Sequence, residues 1–146
     1  MAAHSGKGQV VNIVAERKRV SRGQVTWAVR FSESCVGGFC LLKDDNVLFD
    51  ILPSNLPLVA FNGCISVGSK RKELIIMEKD IFSFFLDVET GEWRIHRNGI
   101  LVLTSLEMND TSFVKSPCRF GVILSHGSAM LVPTDSSVFF EDDLLL

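Results

Sequence analysis

From Phe84 to Gly99 the chain reads FFLDVETGEWRIHRNG. Bulky apolar and polar residues alternate, pause at Glu89-Thr90-Gly91, alternate again and stop at Asn98-Gly99. A side-chain period of two belongs to a strand with one buried face; a helix would repeat its apolar residues every three or four positions. Read this way, Phe82, Phe84, Leu86 and Val88 share one face. Trp93 and Ile95 share a face of the next strand, with Arg94 and His96 opposite. Asn98-Gly99 matches a two-residue type I′ hairpin turn, in which both central residues need positive φ.

The same grammar runs through the rest of the chain. QVVNIVA (9–15) is a first apolar run, and QVTWAVRF (24–31) alternates with Val25, Trp27, Val29 and Phe31 on one face. CVGGFCLL (35–42) is wholly apolar around a Gly pair, a sign of a bulge or of close backbone approach. VLFDIL (47–52), then LVAF and CISVGS around Asn62-Gly63, follow as strands, and ELIIMEKD (73–80) fits a strand or a helical turn and is taken as a strand. ILVLT (100–104) precedes an irregular connection over 105–118. RFGVILS (119–125) and AMLVPT (129–134) read as a hairpin around His126-Gly127-Ser128, and SVFF (137–140) as a closing strand. Short strands at close spacing, without helical periodicity between them, predict an all-β fold: an antiparallel two-sheet β-sandwich or a barrel.

With 146 residues the chain is expected to form a single domain with a core over about 9–140, and with 1–8 and 141–146 as flexible tails. Eleven Phe and two Trp with no Tyr predict an aromatic core with few polar handles. The N-terminus lacks the apolar region of a signal peptide, and no run reaches the roughly 18 apolar residues of a membrane span. A soluble cytoplasmic protein is the default, with a nuclear location open. The net charge of −2 gives no overall pull toward nucleic acid. Two basic runs, Arg17-Lys18-Arg19 with Arg22 and Lys70-Arg71-Lys72, are explained by loop solubility and edge-strand protection. Cys35 and Cys40 sit at the margin of zinc spacing, but no second Cys/His pair follows, so Cys35, Cys40, Cys64 and Cys118 are read as free buried thiols. No cofactor and no metal are expected.

Two segments carry a family resemblance. QVTWAVRF resembles the Trp-Glu-Val-Glu strand of SPRY/B30.2 domains, after Ser21-Arg22-Gly23 as the preceding turn. FFLDVETGEWRIHRNG resembles the family's Leu-Asp-Tyr-Glu segment through Leu86, Asp87 and Glu89, with Val88 in place of Tyr. FGVILSHGSAMLV is similar to the family's closing strands. Ala28 replaces the first Glu of the Trp-Glu-Val-Glu motif. The Leu-Asp-Pro motif of the N-terminal half-domain is absent, which favours plain SPRY over full B30.2. A strand, turn, strand and Asn-Gly hairpin also occur in pentraxin-like and laminin-G-like sandwiches. The resemblance implies a bent, jelly-roll, two-sheet sandwich that binds protein through loops at one end.

Catalytic readings are weak. Ser125-His126-Gly127-Ser128 lacks a Gly-x-Ser-x-Gly elbow and reads as a polar turn. Asp87 and Glu89 lie on one strand face and turn, exposed or paired with Arg94 or Arg97 across the hairpin. Asp44-Asp45-Asn46 with Asp50 lacks a calcium-loop pattern and reads as a solvated turn. The tail EDDLLL (141–146) fits an acidic dileucine pattern. The sequence is therefore read as a non-enzymatic module that binds a protein or peptide through loops. The expected contact residues are Glu33, Lys43, Asp44, Asp45, Asn46, Arg71, Lys72, and Met108 and Phe113 as adaptable apolar contacts. The loops meant are Ser32–Ser34, Lys43–Asn46, Ser69–Lys72 and Ser105–Ser116. The alternatives are a lectin-like sandwich that binds carbohydrate or calcium, and a structural β-protein that self-assembles through an edge strand.

Overall fold

The computed structural model describes residues 11–15, 19–43, 56–108, 118–132 and the backbone of 138–140. The strands are β1 (Asn12–Ala15), β2 (Val20–Phe31), β3 (Val36–Lys43), β4 (Leu58–Phe61), β5 (Cys64–Val67), β6 (Lys70–Glu73), β7 (Ile81–Asp87), β8 (Trp93–Arg97), β9 (Ile100–Thr104), β10 (Cys118–His126), β11 (Ala129–Val132) and β12 (Val138–Phe140). One helical turn, α1 (Ser105–Met108), follows β9.

All pairings are antiparallel, in the order β6-β5-β4-β3-β10-β2-β7-β8-β9. The sheet curls until its two halves face each other. β2 joins them. Its first residue, Val20, pairs with Cys118 of β10, whereas Gln24–Arg30 pair with β7. Gly23, at φ 82°, stands at the change of partner. β1 lies along β10, β11 along the second half of β2, and β12 along its first residues.

The core forms between the halves. Phe39, Leu41 and Phe120 come from one layer, and Val25, Trp27, Val29, Phe31, Phe82, Phe84, Leu86, Trp93 and Ile95 from the other. Trp27 stacks on Phe120 with ring centroids 5.2 Å apart, and Phe39 meets Phe82 at 5.7 Å. Such pairs add roughly 0.5–1.5 kcal/mol beyond their area burial. The two faces read from the alternation in 24–31 and 82–95 are the buried faces.

The wholly apolar CVGGFCLL has a different cause: β3 is buried on both sides. Phe39 and Leu41 enter the main core, while Cys40 and Leu42 join Val11, Leu56, Phe61 and Ile123 in a second cluster. The Gly pair permits close packing, since a Cβ on Gly38 would collide with the carbonyl oxygen of Ala60. Asn98 (φ 52°) and Gly99 (φ 85°) make the expected type I′ turn, and Asn62 (φ 56°) and Gly63 (φ 79°) do the same between β4 and β5.

Four readings of the sequence are corrected. RFGVILS and AMLVPT do not form a hairpin: β10 pairs with β3, and β11 pairs with β2 in the opposite layer. The chain crosses between layers at Gly127, whose positive φ (86°) and closeness to Cys35 leave no room for a side chain. ELIIMEKD is not a strand. Leu74 and Ile76 pack against the core, but 74–80 has no ladder partner. Lys70–Lys72, placed in the loop Ser69–Lys72, lies in the strand β6; its position at the sheet edge, with all side chains exposed, fits the edge-protection reading of the same run. Ser21-Arg22-Gly23 lies within β2 and not in a separate turn. The expected strand 47–52, the expected tails, Asp50 and Arg17-Lys18 lie outside the described residues.

Candidate functional site

At the end of the sandwich where β2 finishes and β7 begins, three connections are tied together. They are Ser32–Cys35 after β2, the segment 74–80 before β7, and Gly127-Ser128 between β10 and β11. The Ser32 N–H donates to the Ser128 carbonyl (2.9 Å), and the Ser128 N–H donates to Ser32 Oγ (3.0 Å). The Ser34 N–H donates to Glu78 Oε2 (2.7 Å), and Lys79 Nζ lies 3.0 Å from Glu33 Oε1. The backbone continues the strapping: Lys79 N–H donates to Phe31 O (2.9 Å), and Phe31 N–H to Asp80 O (3.0 Å).

Two residues here hold an unusual backbone. Ser34 (φ 57°) and Lys79 (φ 68°) occupy the left-handed region although neither is Gly or Asn. Each such residue costs of order 1–3 kcal/mol and persists because its surroundings over-determine it. Here the over-determination is visible in the bonds just named, which run through the Ser34 and Lys79 amides themselves.

Below the rim sits Asp80, only 5 % exposed. Its Oδ2 accepts from Arg97 Nε (2.8 Å) and Met77 N–H (2.9 Å), and its Oδ1 from Asn98 Nδ2 (3.1 Å). Asn98 Oδ1 in turn accepts from Ile81 N–H (2.9 Å). Burial pushes the Asp80 carboxyl up, but the hydrogen bonds and the Arg97 charge outweigh it and hold it below the usual carboxylate value. The result fastens the 74–80 segment to the β8–β9 hairpin.

The expected contact residues that are described do not lie together. Glu33 lies at this end, paired with Lys79. Lys43 closes β3 at the other end of the sandwich, half-buried and opposite Cys118. Arg71 and Lys72 lie on the β6 edge, Arg71 Nη2 donating to Cys64 Sγ (3.1 Å) and Lys72 Nζ standing 3.5 Å from Glu107 Oε2. Met108 is corrected: it is a core residue, 2 % exposed, because the α1 turn swings it inward after Thr104. Asp44, Asp45, Asn46 and Phe113 lie outside the described residues.

Sequence reading missed Glu78, Lys79, Asp80, Arg97 and Ser128. The polar cluster Glu78-Lys79-Asp80 after an apolar run was the available signal, but it was absorbed into a strand.

The other chemistry is local. Asp87 and Glu89 do not pair with Arg94 or Arg97. Asp87 Oδ1 accepts from the Glu89 and Thr90 N–H groups, Oδ2 from Gln24 Nε2, and Glu89 Oε2 from Gly23 N–H. Partial burial raises the Asp87 carboxyl, and these bonds more than reverse it. Arg94 instead covers the Phe85 ring at 4.2 Å and lies 3.6 Å from Glu92. The four cysteines are free thiols, but only Cys40 and Cys118 are buried as expected, Cys35 and Cys64 being half-buried; burial pushes Cys40 up to about 12. Among the described residues no group of three or more His, Cys, Asp or Glu could hold a metal ion, and no helix is long and apolar enough to cross a membrane.

No protein-family model matches the sequence, and no curated protein matches it. Among solved structures, the chain is similar to the SPRY domain of human HERC1, with a TM-score of 0.60 and 12% identity over 89% of this chain and 87% of that one. It also matches sheep galectin-11 in complex with glycerol, covering 86% of this chain and all of that one at 10% identity, but the TM-score of 0.37 gives that match no weight. At such identity the likeness is one of architecture, and it agrees with the two sequence segments, the curled antiparallel sheet and the aromatic interlayer core: this chain has a SPRY-like jelly-roll fold.

Proposed function

We propose that this chain is a non-enzymatic interaction module that captures a protein or peptide segment at the strapped loop end, working in the cytoplasm. The observation that carries the reading is the left-handed backbone of Ser34 and Lys79, held by bonds between different loops. A surface fixed before binding loses little further entropy when it meets a partner, which favours affinity. Exposed charges (Glu33, Lys79) and exposed apolar side chains (Val36, Met77) lie on or next to these connections, the mixture of polar rim and apolar contact that protein interfaces use. The SPRY-like architecture supports a binding role by analogy of fold.

The test compares two sets of substitutions in affinity capture followed by mass spectrometry. Glu33→Ala, Met77→Ala and Lys79→Ala should each reduce recovery of the same partner while leaving the melting temperature nearly unchanged. Lys43→Ala, Arg71→Ala and Lys72→Ala, away from this end, should leave recovery intact. Equal recovery with all three loop-end variants would refute the reading.

A further inference from the structure

The two edges of the curled sheet are unlike each other. β6 and β9 stand at opposite ends of the strand order, yet Lys72 of β6 reaches Glu107 of α1, and Leu74, Leu103 and Met108 share one core cluster. The two edges therefore approach each other where Lys72 meets the turn after β9, and the gap between them forms a seam. One lip is mainly basic: Lys70, Arg71 and Lys72 are exposed, with the acid Glu73 after them. The other is apolar: Ile100 is 69 % exposed, Leu101 and Val102 are exposed, and Leu106 is 88 % exposed. Ile75, just beyond β6, is exposed as well.

Charged residues on an edge strand oppose chance pairing, which accounts for β6. They leave the apolar lip unexplained. β9 carries no charge, and its ladder with β8 shifts register between Ile95 and His96, so its irregular edge is poorly suited to extending the sheet by another copy of β9. What fits the seam is a segment with acids followed by large apolar residues.

The chain contains such a segment. Glu141-Asp142-Asp143-Leu144-Leu145-Leu146 follows β12. Laid parallel to residues 70–76, its three acids meet Lys70-Arg71-Lys72. In that register Leu146 would stand opposite Ile75, with the leucines toward the apolar lip of Ile100–Val102.

Measured along the sheet, its own seam is distant. β12 ends at Phe140, paired with Val20 of β2. Five strand steps separate β2 from β6 one way, and three separate it from β9 the other. At about 4.8 Å per step these are roughly 24 and 14 Å, whereas the acids 141–143 span at most about 11 Å. We infer that the seam receives residues 141–146 of a second copy of this chain, so that the protein self-associates by exchanging this segment. The inference does not depend on the loop-end function.

The test uses the full chain and a chain ending at Phe140, which keeps β12. Light scattering after size exclusion should show concentration-dependent association of the full chain and a monomer for the shortened one. A fluorescein-labelled Glu141–Leu146 peptide should bind the shortened chain, more weakly as salt rises. Lys70→Glu with Arg71→Glu, or Leu106→Asp, should weaken that binding at least tenfold in protein that melts normally. Lys79→Ala at the loop end should not. A full chain that stays monomeric, equal association of both chains, or peptide binding indifferent to the charge reversal would each overturn the inference.

Discussion

Arg97 Nε donates to Asp80 Oδ2 at 2.8 Å, joining the end of β8 to the residue just before β7. Asp80 also satisfies a backbone amide and the Asn98 side chain. Replacing it with Ala leaves three donors without their acceptor. Hydrogen bonds to a charged group contribute roughly 1.5–3 kcal/mol each in favourable cases, and the partial exposure of Arg97 lowers its share. Asp80→Ala should cost about 2–4 kcal/mol in urea unfolding, and Arg97→Lys, which keeps the charge but not the planar donor, noticeably less.

The same carboxylate sets a pH dependence. The folded state holds Asp80 below its ordinary value of 3.8, so the unfolded chain takes up its proton first on acidification. Its contribution is complete above about pH 4–5 and is lost as pH falls through the lower folded value. Asp87 acts in the same direction. Urea midpoints measured from pH 7 to pH 2.5 should fall in the acid range, and Asp80→Asn should flatten that fall. An identical slope in the variant would contradict this assignment.

The Gly pair in β3 makes a steric prediction. Gly38→Ala places a methyl group against the Ala60 backbone, where β3 and β4 pair through Phe39 and Ala60. Overpacking against backbone has no flexible side chain to absorb it, and a loss of about 3 kcal/mol is expected. Gly63→Ala meets open space but must hold φ at 79°, so a loss of only about 1 kcal/mol is expected. Thermal melts of the two variants rank them.

Leu106 and Met108 lie two residues apart on one helical turn, and only the second is in the core. Met108→Ala should cost about 2–4 kcal/mol, in the range of buried large-to-small changes. Leu106→Ala should stay within about 0.5 kcal/mol. The pair is checked by chemical denaturation.

The parts of the fold that follow from local chemistry were legible in the sequence. Alternation exposed the buried faces of 24–31 and 82–95, and Asn-Gly pairs marked two turns through their tolerance of positive φ. What escaped depends on partners far along the chain. Gly127 looks like the tip of a hairpin because it has turn chemistry; that it passes Cys35 on the way to another layer is decided by how the sheet closes. Lys70–Glu73 has the composition of a loop and becomes a strand because β5 offers it a ladder. Ser34 and Lys79 carry no residue-type signal for a left-handed backbone, and the bonds that hold them come from other loops. Glu33 was found at the candidate site because it is polar and in a turn. Its partner Lys79 was hidden behind an apolar run whose alternate residues pack on the core without forming a strand.

β2 draws its neighbours from 81–87, from Cys118, from 129–132 and from 138–140. This imposes an order of assembly. A growing chain can pair β2 with β7 once Asp87 has been made, but the ladder that links β3 to β2 runs through β10. Contacts of such long sequence separation are the slow step in β-rich proteins. Trp27 must wait for Phe120 to be made before it gains its stacking partner from the facing layer. Synthesis halted before Cys118 therefore leaves two sheets with no shared strand, and not a smaller version of the fold.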